Sequence, residues 1–106
     1  MTIVELIDQL KTIDLAEKLG QQFLPDVEYD SIDIYMKNQV GIESEIYLFD
    51  SGILDNNVHI EVEGIKYEHF FALFEAQEMV EALVTKQSAN NIEMAKRMIE
   101  YSIYDA

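Results

Sequence analysis

The sequence holds 106 residues, 49% of them apolar, with 21 acidic against 7 basic side chains and a net charge of −14. That length gives a single domain, residues 1–106, with enough chain to bury a core without staples, and the apolar content excludes disorder as the reason for the charge. No cysteine is present, which excludes disulfides and thiolate catalysis. No apolar run approaches the ~20 residues of a membrane span, and Glu5 and Asp8 interrupt what would be a signal peptide, so a cytoplasmic protein is expected.

The charge is unevenly placed. Residues 26–81 contain 14 acids and only Lys37 and Lys66 as bases, a net of −12, whereas residues 1–25 sum to −2 and residues 82–106 to zero. Such a field repels nucleic acid and membrane surfaces and attracts basic partners.

Thr2 and Glu5 have capping-box spacing, and Ile3, Leu6, Ile7 and Leu10 follow at helical intervals. The phase slips near Thr12–Asp14 before Leu15, Ala16 and Leu19 resume. Either one bent helix or two short ones is expected over residues 3–19, with Gly20 as the stop.

The period then changes to two. Ile32, Ile34 and Met36 alternate with polar positions, as do Ile42, Ser44, Ile46 and Leu48, and Val58, Ile60 and Val62. Turn residues separate these runs at 38–41, 50–52 and 55–57. Gly64 offers another turn, and Ile65–Tyr67 a brief fourth strand. The short links favour an antiparallel meander.

Helical spacing returns after Glu68, with Phe70, Phe71, Phe74, Met79, Val80 and Leu83 as the apolar stripe and Glu75, Glu78 and Glu81 opposite. Asn90 reads as the N-cap of a last helix, with Glu93 at N3 and Ile92, Ala95, Ile99 and Ile103 on its inward side. The expected architecture is a two-layer α+β domain: an N-terminal helix, a three- or four-stranded antiparallel meander, and two C-terminal helices on one sheet face.

On that register the other face of the sheet would carry Asp33, Glu43, Glu45, Glu61 and Glu63, with Tyr35, Tyr47, Phe49 and His59 among them. Same-face carboxylates would recur every ~6.7 Å along a strand. Regularly spaced acids with interleaved aromatics imitate phosphates and bases, and could occlude a basic, nucleic-acid-binding cleft on a partner protein. Partner contacts are therefore expected from Asp33, Glu43, Glu45, Tyr47, Glu61 and Glu63. The plainer alternative is that the charge only keeps the protein soluble.

The segment Asp26–Asp33 has oxygen ligands at calcium-loop spacing, but Ser31 stands where the sharp-turn glycine belongs and Lys37 where the bidentate glutamate belongs. A solvated loop with Val27 and Tyr29 tucked inward fits better. His59 and His69 fall on different predicted elements, with no third and fourth ligand for zinc. There is no phosphate loop, nucleophile elbow or catalytic constellation, so no cofactor, metal or catalytic residue is assigned. The block Phe70–Phe74 is wider than one helix face, and Phe70, Phe71 and Phe74 are a second candidate surface, for a homodimer.

In architecture and charge alone the chain resembles small phage-encoded inhibitors and bacterial immunity proteins. The sequence therefore leads to an acidic, non-enzymatic binding protein that covers a basic surface. A homo-oligomeric structural or regulatory protein built on the Phe70–Phe74 helix is the first alternative, and a metal-dependent enzyme the second.

Overall fold

The computed structural model describes residues 1–52, 59–86 and 90–104. The expected strand start at Val58 and the turn at 55–57 lie outside them. Two short helices open the chain, α1 (Ile3–Ile7) and α2 (Ile13–Phe23). Glu5 Oε1 accepts the Thr2 N–H at 3.0 Å, closing the α1 end of the capping box. Thr12 Oγ1 accepts the Leu15 N–H at 3.2 Å and starts α2, so the phase slip marks a genuine break between helices.

Gly20 does not stop α2. It lies buried three residues before the helix end, and a Cβ there would meet Ile32 Cδ1 at 2.9 Å. Its missing side chain lets α2 approach the sheet closely.

A 3₁₀ turn, Tyr29–Ser31, leads into a four-stranded antiparallel sheet of β1 (Ile32–Lys37), β2 (Ile46–Asp50), β3 (His59–Val62) and β4 (Ile65–Ala72). The spatial order is β2-β1-β4-β3. It is two hairpins joined along β1 and β4, rather than strands laid side by side in chain order as in the expected meander. The β3–β4 hairpin turns on Glu63 and Gly64, at φ 53° and 82°. Positive φ at both central residues is the signature of a two-residue I′ turn.

The largest departure is β4. The helix expected after Glu68 begins at Leu73, as α3 (Leu73–Lys86), and Phe70 and Phe71 belong to the strand. The register explains the misreading. Ile34 pairs with Phe71 and Tyr35 with His69, so Phe70 is the extra residue of a β-bulge. A bulge places two successive side chains on one side. Both phenylalanines therefore reach the helix layer, their rings 4.7 Å apart.

The core lies between one sheet face and the helices. Ile32, Ile34 and Met36 meet Leu6, Leu19, Leu73 and Val80, all buried. The final helix, α4 (Asn91–Tyr104), is capped by Asn90 Oδ1, which accepts the Glu93 N–H at 2.9 Å. Its inward stripe is Met94, Ala95 and Met98, while Ile92 and Ile103 are exposed. Unbranched methionine fills the irregular space beneath the sheet and takes the role expected of those isoleucines. Asn91 donates to Asp8 Oδ1 at 2.9 Å and to the Val4 carbonyl at 3.3 Å, tying α4 to α1. That bond, with Lys11 beside it, holds the Asp8 carboxyl below its usual range. Among the described residues no helix is long and apolar enough to cross a membrane.

Candidate functional site

The carboxylates expected on one sheet face are dispersed. Direct partners across a sheet share a face, so the pairs Tyr35–Tyr47, Asp33–Phe49 and Tyr35–His69 define the face turned from the helices. Asp33 is on it, and Glu45 stands at its rim beside the Tyr47 hydroxyl. Glu61 pairs with Lys66 and His59 with Glu68, while Ile60 pairs with Tyr67. Because Tyr67 also pairs with Lys37, it is Ile60 that joins the aromatic face, and Glu61 points to the other side. Glu63 is in the I′ turn, and Glu43 is in the connection ahead of β2. The alternation of β3 was read correctly, but its phase relative to β1 was inverted.

What occupies that face is aromatic. Tyr35 is fully buried, with ring centroids 5.5 Å from Phe49 and 5.2 Å from His69, both edge-on. Tyr67 packs against Tyr47 at 5.1 Å and Phe49 at 5.2 Å. Asp33, almost fully buried, lies 3.6 Å from His69 Nε2. His69 is thus a strand residue against a carboxylate, not the opening of a helix. Burial and then Asp33 push the Tyr35 hydroxyl pKa up. Of the expected partner residues only Asp33, Glu45 and Tyr47 come together here.

The proposed dimer surface is likewise divided. Phe70 is 4% exposed and belongs to the core, Phe71 packs partly against it, and Phe74 faces a groove on the other flank of α3.

Acidic side chains instead gather around Tyr29. Between α2 and the 3₁₀ turn, Val27 and Tyr29 pack on the core while Asp26, Glu28 and Asp30 are exposed, as the reading of this loop expected. The Tyr29 ring is a wall between two cavities. One, of about 500 Å³, runs along α3 and is lined by Ile13, Phe74, Gln77, Glu78 and Glu81. The other, of about 310 Å³, lies against α2 and is lined by Glu17, Asp26, Glu28 and Ile32.

Burial raises the Tyr29 hydroxyl pKa first, followed by the fields of Glu17, Glu78 and Glu81. Carboxylates from two helices therefore converge on this ring. Its hydroxyl oxygen is buried without a hydrogen-bond partner among the described residues. At the base of the α3 groove Gln77, 1% exposed, donates from Nε2 to the Leu10 carbonyl at 3.3 Å and to Glu81 Oε2 at 2.7 Å. One amide thus fixes the α1–α2 connection to α3 and orients a rim carboxylate. Among described side chains Lys11 pairs with Asp8, and His59 lies beside Glu68 and His69 beside Asp33. None neutralises Glu17, Asp26, Glu28, Asp30, Glu78 or Glu81.

Sequence reasoning found the loop and the Glu75, Glu78, Glu81 row of α3 but not their meeting, because nothing local in the chain encodes it. Among the described residues no three His, Asp or Glu side chains converge as metal ligands would. Comparison with protein-family models, curated proteins and solved structures finds no match for the chain.

Proposed function

We propose that this protein is a non-enzymatic binding protein for a basic partner, of the inhibitor, immunity or nucleic-acid-mimic kind, and that it engages that partner through the band around Tyr29. One observation carries this reading. Five carboxylates from α2, the 26–30 loop and α3 (Glu17, Asp26, Glu28, Glu78 and Glu81) line two adjoining cavities with no paired cation among the described side chains. Uncompensated charge over a concave, partly aromatic surface speeds encounter with an opposite field and suppresses acidic competitors. The fold contains no cysteine and needs no oxidising compartment, and the cytoplasm is the proposed setting.

Quantitative affinity capture tests this with three baits at about 0.05 and 0.5 M salt, where screening lengths differ about threefold. The wild type should retain basic proteins at low salt and release them at high salt. The double variant Glu28→Lys/Glu78→Lys should lose them, and Glu61→Lys/Glu63→Lys, at the β3 edge, should keep them. Retained partners that are neutral or acidic, or retention indifferent to salt, would defeat the reading. Equal loss in both variants would show that net charge, not this band, does the binding.

A further inference from the structure

We infer that the groove between α3 and Tyr29 is a pocket for an arginine side chain of the partner protein. The inference rests on the binding reading above and specifies what enters. The groove has the composition such a side chain requires. Ile13 and Phe74 offer apolar walls for an aliphatic stem. The ring of Tyr29 offers a π-surface on which a planar guanidinium can stack. Glu78 and Glu81 stand on the same rim as acceptors for its forked donors.

The occupant follows from charge complementarity. A wholly apolar side chain would lie over carboxylates and strip them of water without replacing the hydrogen bonds. An anion would be repelled. A compact ammonium would meet the acids but waste the aromatic wall, since lysine is a strongly hydrated point charge.

Two further features make the pocket suited to a donor. Gln77 already holds Glu81 Oε2 at 2.7 Å, so that carboxylate is oriented before anything binds. The Tyr29 hydroxyl oxygen has no hydrogen-bond partner among the described residues, which leaves an acceptor to spare for an arriving N–H. A groove of about 500 Å³ also has more than enough room for one such side chain.

The probe is N-acetyl-arginine amide, titrated into the isotopically labelled protein and followed by NMR, with the citrulline amide as neutral isostere and the lysine amide as cationic control. Arginine should saturate in the millimolar range, with shifts confined to residues of the groove such as Ile13, Tyr29, Phe74 and Gln77. Citrulline should bind at least about fivefold more weakly, and Glu78→Gln should weaken arginine about threefold while Glu61→Gln leaves it unchanged, as expected for charge-assisted contacts at a partly exposed rim. Equal shifts with citrulline, or shifts spread over exposed acids throughout the molecule, would overturn the pocket, whatever the capture experiment gives. Lysine matching arginine would overturn the choice of a guanidinium. Arginine that titrates the groove while capture finds no basic partner would defeat the wider reading and leave the pocket standing.

Discussion

The β3 edge and the α3 groove are both rich in carboxylates, yet they are built differently. On β3, Glu61 faces Lys66 and His59 faces Glu68 across the strand pair, and the side chains project from an exposed edge. Around Tyr29 the acids sit above a buried amide, an aromatic wall and two cavities, with no cation paired to them among the described side chains. Exposed cross-strand charges contribute little and are screened by salt. The contrast teaches that a count of acids does not locate a site, whereas concavity and support beneath the acids do.

The largest test of that support is Gln77→Ala. Gln77 is the buried polar side chain under the groove, and it joins the Leu10 carbonyl to Glu81. Its loss should cost about 1–3 kcal/mol, the usual price of breaking buried hydrogen bonds and leaving an acceptor without its donor. The measurement is the urea midpoint at unchanged slope. The variant should also bind arginine amide more weakly, because Glu81 is released. A variant as stable as the wild type would mean that the groove floor is no better anchored than the β3 edge, and the comparison would break.

Next in size is Tyr29→Phe. The hydroxyl oxygen is buried without a partner among the described residues, and an unsatisfied buried hydroxyl is a net cost. Removing it should therefore stabilise the fold, by about 1 kcal/mol, an unusual direction for a substitution at a proposed site. Arginine amide should still stack on the remaining ring, within about a factor of two. Destabilisation would show that the oxygen has a partner in solution and no acceptor to spare for a ligand.

Much of this fold was legible in local pattern. The phase slip near Thr12, the Asn90–Glu93 cap, the turn at Gly64 and the alternation of β1 each follow from short-range rules, and each is present, whereas the run expected from Ile42 becomes a strand only at Ile46, because residues 42–45 belong to the turn that leads into β2. The misread features depend on relations between segments. Two adjacent phenylalanines resemble the start of a helix unless a bulge is known to gather both on one side. Gly20 resembles a stop unless Ile32 is known to press against it. The β3 phase was inverted because pairing with β4, not the strand's own pattern, decides which way Glu61 points. The site divides similarly: the inward Val27 and Tyr29 with outward acids were readable, but the approach of α3 to Tyr29 is tertiary.

The smallest effect is expected at the β3 edge itself. Glu63 is held at φ 53° by the I′ turn, a conformation costly for most L-residues but tolerated by asparagine. Glu63→Asn should relieve that strain and raise stability by about 0.5–1 kcal/mol, read from the same urea titration. It also removes one charge from the carboxylates first expected to contact a partner. If the β3 edge is only a solvated rim, capture of basic proteins should be unchanged within a factor of about two, the scale of one exposed charge. A tenfold loss in the better-folded variant would make this turn a contact in its own right, and the two acidic regions would have to be read as one surface.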